Sequence, residues 1–97
     1  MQTLLNLLKL DLGITHDLRD AFFLQLLQGT IQEIERRGIT LDLNSADDQM
    51  LIVDYSCWTY RKRQEDIPLA NNIQHRLRNR IIQERIAKQN AITITEI

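Results

Sequence analysis

Three glycines and one proline are the only turn-forming punctuation in this 97-residue sequence. Hairpins and tight loops draw on those residues for positive φ and preset turns, so a chain this poor in them is predicted to form long helices. The apolar spacing agrees. Met1–Leu12 holds Leu4, Leu5, Leu7, Leu8, Leu10 and Leu12, with polar Asn6 and Lys9 three apart, which predicts a leucine-rich helix ended near Gly13. Thr15 is the expected N-cap of a second helix, with Asp17 and Asp20 near its positive end and Gly38 as its αL stop after Arg36 or Arg37. That helix carries two apolar stripes, Leu18, Ala21, Phe22 and Leu26 early and Phe23, Leu27, Ile31 and Ile34 later, so two neighbours are expected. Gly29, unfavourable in a helix interior, is expected to mark a close helix crossing.

Ile39–Leu43 alternates apolar and polar residues, as a short strand or an extended connection does; no partner strand is evident, which favours the connection. Ser45 with Asp48 three residues on resembles a capping box. The third helix, roughly Ala46–Arg63, has the most apolar centre of the chain, with Trp58 expected to be largely buried. A buried strand competes over Met50–Tyr55, but the cap in front and the three basic residues behind favour a helix. Gln64–Asp66 form a polar connection and Pro68 suits the first turn of a fourth helix. There Leu69, Ile73, Leu77 and Ile81 recur every four residues, Ile82 and Ile86 continue the stripe, and Arg76, Arg80 and Lys88 extend away from it. Ala91–Ile97 alternates strictly with β-branched residues, which predicts an extended tail that frays or pairs with another subunit. The expected fold is all-α, a small bundle of about four helices over residues 1–90 with an extended C-terminal tail over 91–97. Its core is expected to hold Phe22, Leu26, Leu51, Tyr55, Trp58, Ile73, Leu77 and Ile81.

Chemistry is hard to find in this pattern. His16 and His75 lie about sixty residues apart, without a Cys or His at metal-ligand spacing. Asp47 and Asp48 are adjacent and suit a helix dipole better than an acid pair. Cys57, the lone cysteine, has no nearby base, forms no internal disulfide and fits a reducing compartment. Phosphate-loop and serine-nucleophile patterns are missing. No catalytic residue, cofactor or metal is therefore expected. The apolar stretches fall well short of the roughly 20 residues of a membrane span, and the first residues lack a basic signal region. A cytoplasmic origin without membrane contact is the expectation.

Charge is divided along the chain although the net value is only −1. Residues 1–57 carry four basic and nine acidic groups, a balance of −5, and residues 58–97 carry eight basic and four acidic, a balance of +4. Two readings follow: solvated helix faces that differ, or an acidic surface of one subunit meeting a basic surface of the next. Arg61-Lys62-Arg63 behind Trp58 and Tyr60 also fits nucleic acid. An isoelectric point near 6.1 is low for a dedicated DNA-binding domain, and Arg76, Arg78 and Arg80 are spread round their helix. Helix-end compensation and ion pairs between subunits are favoured, and Arg61, Lys62, Arg63, Arg76, Arg80, Ile92 and Ile94 are the expected interface residues.

The stretch Asp54-Tyr55-Ser56-Cys57-Trp58-Thr59-Tyr60-Arg61-Lys62-Arg63, then Pro68 and the basic helix Ile73–Ile86, resembles the head-tail connector (adaptor) proteins of long-tailed bacteriophages. Leu4–Leu12 followed by Asp17-Leu18-Arg19-Asp20 is similar to the leading helix and acidic turn of that family, so the likeness covers about residues 1–88. It implies a non-enzymatic helical subunit that forms a homo-oligomeric ring between portal and tail-completion proteins after DNA packaging. Its place would be the virion neck, after the host bacterial cytoplasm, with possible non-specific contact with DNA. The tail over 92–97 has no counterpart in the family pattern. The alternative is a small helical regulator that binds DNA or a partner protein as a dimer.

Overall fold

Gly13 and Gly38 adopt φ of 73° and 93°, backbone conformations that L side chains rarely enter, and each stops a helix. Helix α1 spans Gln2–Leu12 and α2 spans Asp20–Arg36. Ser45 then caps α3, Ala46–Lys62, by accepting a hydrogen bond from the Asp48 amide, and α4 runs Asn71–Glu96. The computed structural model describes the backbone of residues 1–63 and 67–96, with side chains through Lys88; the Gln64–Asp66 connection lies outside the described residues. No strand occurs among the described residues, so Ile39–Leu43 is an irregular connection and Met50–Tyr55 is helical. The fold is a small all-α bundle.

Helix α3 is the centre, packed by α1 and α2 and, on a further side, by α4. Asp11 of α1 meets Cys57 of α3, and Leu7 and Leu10 lie beside Met50 and Val53, so α1 and α3 run parallel. Phe23 lies against Tyr60 while Thr30 meets Ser56, so α2 runs antiparallel to α3. Leu4, Leu5, Leu8, Phe23, Leu27, Ile34, Leu51, Ile52 and Val53 form the closed core. At its heart the Ser56 hydroxyl donates to Thr30 Oγ1 at 2.9 Å, pairing two buried polar groups that would be costly alone.

The expected core residues divide by depth. Leu51, Tyr55, Ile73 and Leu77 are buried, whereas Phe22, Leu26, Trp58 and Ile81 are half-buried against the cluster. Trp58 is mostly covered without being closed off. It sits near the end of α3, where Tyr55 packs edge-on and its Nε1–H donates to the Ile67 carbonyl at 2.9 Å, leaving part of the ring open.

Two helix starts and one glycine also differ from the sequence reading. Helix α2 begins at Asp20 instead of near Thr15, because residues 17–19 form a turn in which Lys9 holds both Asp17 and Asp20 at 2.8 Å. Leu18 consequently lies outside the helix and is 89% exposed. No atom of a neighbouring helix stands within 4 Å of a Cβ built on Gly29, so it marks no close crossing. Pro68 precedes α4 by three residues, in an irregular stretch whose carbonyls at Ile67 and Leu69 accept bonds from Trp58 and Gln74.

Helix α4 departs most. Its backbone continues helically through Glu96, where the sequence predicts an extended tail over 91–97. Adding one residue to an established helix gains a hydrogen bond for a single residue fixed, and β-branched side chains oppose that only weakly. The apolar repeat also divides. Ile73 and Leu77 are buried, but Ile82 and Ile86 are 48% and 51% exposed. A four-residue step overshoots one turn by about 40°, and Ile82 lies a further ~100° round from Ile81, so the row leaves the face that touches α3.

Candidate assembly surface

The C-terminal end of α3 gathers positive charge. Arg61 and Lys62 occupy its last turn and Arg63 its C-cap, where cations complement the negative end of the helix dipole. The antiparallel α2 adds Arg19, its N-cap residue. The Arg19 guanidinium lies 4.9 Å from the Phe22 ring centre and 5.6 Å from that of Tyr60, and its Nη1 donates to Tyr60 Oη at 2.9 Å. Arg63 also stands over Phe22 at 4.9 Å, and Lys62 Nζ over Trp58 at 4.4 Å. Such stacks contribute about 0.5–1 kcal/mol each at exposed sites and hold long side chains in place. Among the described residues, none of these four cations has a carboxylate within ion-pair distance.

The opposite end of α3 is acidic. Asp47 and Asp48 start the helix, and with Asp42 and Glu84 they line an open hollow of about 500 Å³ in which Arg80 is the basic side chain. Arg80 pairs with Asp48, whose side chain is only 5% exposed, and its Nη2 donates to the Thr40 carbonyl at 2.8 Å. The Asp42 amide donates to Asp48 at 2.8 Å and the Thr40 amide to Glu84 at 2.9 Å. The expected capping box is thus half made: Ser45 caps Asp48, while the Asp48 carboxylate turns to Asp42 and Arg80. Burial pushes the Asp48 carboxyl upward, but the Arg80 guanidinium and the Asp42 amide outweigh it, leaving the pKa below the ordinary value. With Asp48 neutralised by Arg80, Asp42, Asp47 and Glu84 remain. About 22 Å of helix, from Asp47 to Lys62, separates the two charged ends.

The expected interface residues do not share one surface. Arg61, Lys62 and Arg63 are exposed together at the basic end. Arg76 donates to Asp54 at 2.8 Å and Arg80 to Asp48, so both are used inside the subunit to fasten α4 to α3. Ile92 and Ile94 stand in α4, and their side chains lie outside the described residues. Sequence reasoning missed Arg19, Asp42 and Glu84. Arg19 offered one signal, aromatic residues three and four positions on, but its meeting with Tyr60 spans 41 residues and only the fold reveals it.

Other titratable groups do not converge. His16 accepts the Leu18 amide at 3.3 Å and His75 is exposed on α4. Cys57 donates to Asp11 at 2.8 Å, and burial, then that carboxylate, pushes its thiol up to about 12, far from the thiolate a nucleophile needs. Among the described residues no three potential metal ligands cluster, and no helix is long and apolar enough to cross a membrane. No protein-family model, curated protein or solved structure matches this chain.

Proposed function

We propose that this chain is a structural subunit that joins copies of itself head to tail into a ring of the phage head-tail connector type, between portal and tail-completion proteins at the virion neck. One observation carries the reading: Arg19, Arg61, Lys62 and Arg63 at one end of α3 oppose Asp42, Asp47 and Glu84 at the other. Opposite charge at the two ends of one rigid helix favours contacts between unlike surfaces, and such contacts close into rings when the rotation permits. The likeness of Asp54–Arg63, Pro68 and Ile73–Ile86 to connector proteins supplies the phage setting.

Exposed ion pairs contribute about 0–1 kcal/mol each, so the charged ends orient subunits and speed their encounter more than they hold the ring. Native mass spectrometry across protein concentration and ionic strength tests the proposal. A closed oligomer that forms more slowly at high salt, and fails when Arg61, Lys62 and Arg63 are all replaced by glutamate with helicity retained, supports it. A subunit that stays monomeric at every concentration refutes it. The stacked cations on Phe22 and Trp58 favour one second reading, a helical regulator that binds DNA; it predicts a fixed dimer whose DNA affinity falls steeply with salt.

A further inference from the structure

Away from the charged ends, two apolar features stand uncovered among the described residues. The first is the outer row of α4, Ile82 and Ile86, one turn apart and about half exposed on the side facing away from α3. Arg78 and Arg85 border this row, both exposed and, among the described residues, without an ion-pair partner. The second is a trough along α3 between α1 and α4. Met50, 45% exposed, forms its floor; Leu7 and Leu10, the latter 78% exposed, form one wall, and Asn79 and Gln83 of α4 the other. Hollows of about 290 and 420 Å³ meet at Met50. Asp11, Asp47, Arg76 and Arg80 line the trough; the two arginines are paired with Asp54 and Asp48, whereas Asp11 and Asp47 have no ion-pair partner among the described residues.

We propose that the Ile82–Ile86 row of one subunit docks in the Leu10–Met50 trough of a second copy, with Arg78 and Arg85 facing Asp11 and Asp47. Complementarity decides the occupant. Two apolar side chains one turn apart are what a groove between two helices accepts, and the unpaired charges beside the row are basic where those beside the trough are acidic. A trough with helices on both sides and α3 as its floor lacks only one more helix above it to become a closed bundle. Each copy carries both a row and a trough, so one docking event leaves one of each free for the next subunit. The charged ends would steer this contact and the aliphatic side chains would hold it.

The inference rests on the assembly reading above, and the test separates the two. Sedimentation equilibrium is run on the full chain, on Ile82→Glu/Ile86→Glu and on Leu10→Glu/Met50→Glu, with circular dichroism reporting the fold. All four positions are at least two-fifths exposed, so both variants are expected to remain helical. Each is expected to associate about ten- to a hundredfold more weakly than the wild type, the weight of a buried aliphatic side chain. An equimolar mixture of the two is expected to form 1:1 pairs, because each retains the half the other has lost. If the wild type assembles and either variant assembles equally well, docking fails while the assembly reading stands. Variants that lose association but do not pair when mixed also overturn the docking. A wild type that never associates removes both. Should Leu10→Glu/Met50→Glu lose helicity, Leu10→Gln/Met50→Gln replaces it, with weaker association alone and 1:1 pairs when mixed with Ile82→Glu/Ile86→Glu as the expected result.

Discussion

Helices α1 to α3 and helix α4 are held by different forces. The first three share nearly all of the closed core, from Leu4 to Cys57, whereas α4 adds only Ile73 and Leu77 to it. What fastens α4 is polar: Arg76 to Asp54, Arg80 to Asp48 and Thr40, and Glu84 to the Thr40 amide. Apolar burial is indifferent to pH and strengthened by many salts, while ion pairs weaken under acid and screening. One chain therefore combines an insensitive body with an arm whose attachment responds to its surroundings.

The largest expected effect breaks the body. Phe23 is fully buried, so Phe23→Ala should cost about 3–5 kcal/mol and unfold all four helices in one transition. Urea denaturation followed by circular dichroism measures it; loss of α2 alone would refute a shared core. Next comes the arm. Asp48→Asn leaves the partly buried Arg80 without its anion and should cost about 2–4 kcal/mol. Amide exchange should quicken at Thr40 and Asp42 more than at Ile52.

Acid sharpens the same contrast. The folded Asp48 carboxyl titrates below the ordinary value of 3.8, so its stabilisation is present above that value and is lost as pH falls through the folded one. Wild-type stability should decline below about pH 4, and Asp48→Asn should lack that part of the slope in denaturation midpoints taken from pH 2 to 7. Cys57 belongs to the body, and its buried, carboxylate-bound thiol should resist alkylation at neutral pH until urea unfolds the chain. Last, Ile82→Ala should change monomer stability by less than about 0.5 kcal/mol, since the side chain touches solvent on its outer face.

Local signals in the sequence located the helices well. Gly13 and Gly38 stop α1 and α2, Ser45 starts α3, and the scarcity of turn residues led to an all-α bundle. Errors arose where an element is set by partners distant in sequence. Thr15 is a competent cap, but Lys9 captures Asp17 and Asp20 and delays the start of α2. Ile82 and Ile86 look like core because spacing reports periodicity and cannot reveal that α3 covers only one side of α4. Arg76 and Arg80 look like surface cations because Asp54 and Asp48 lie 22 and 32 residues away. The charge division, visible in composition, acquired a geometry only when Arg19 joined Arg63 and Glu84 joined Asp47.

The parallel course of α1 and α3 has a consequence in time. Leu4, Leu5 and Leu8 have no complete shelter until the chain has passed through α2, turned back, and delivered Leu51 to Cys57. During synthesis at about 5–20 residues per second, the leading helix therefore waits several seconds with its leucines bare. The 26 residues of α4 emerge later still, onto a body that can already have closed. Until they do, Asp48 and Asp54 lack their arginines and the acidic face of α3 is at its most negative. Under the proposed docking, a nascent subunit gains the row that would engage a neighbour only after its body.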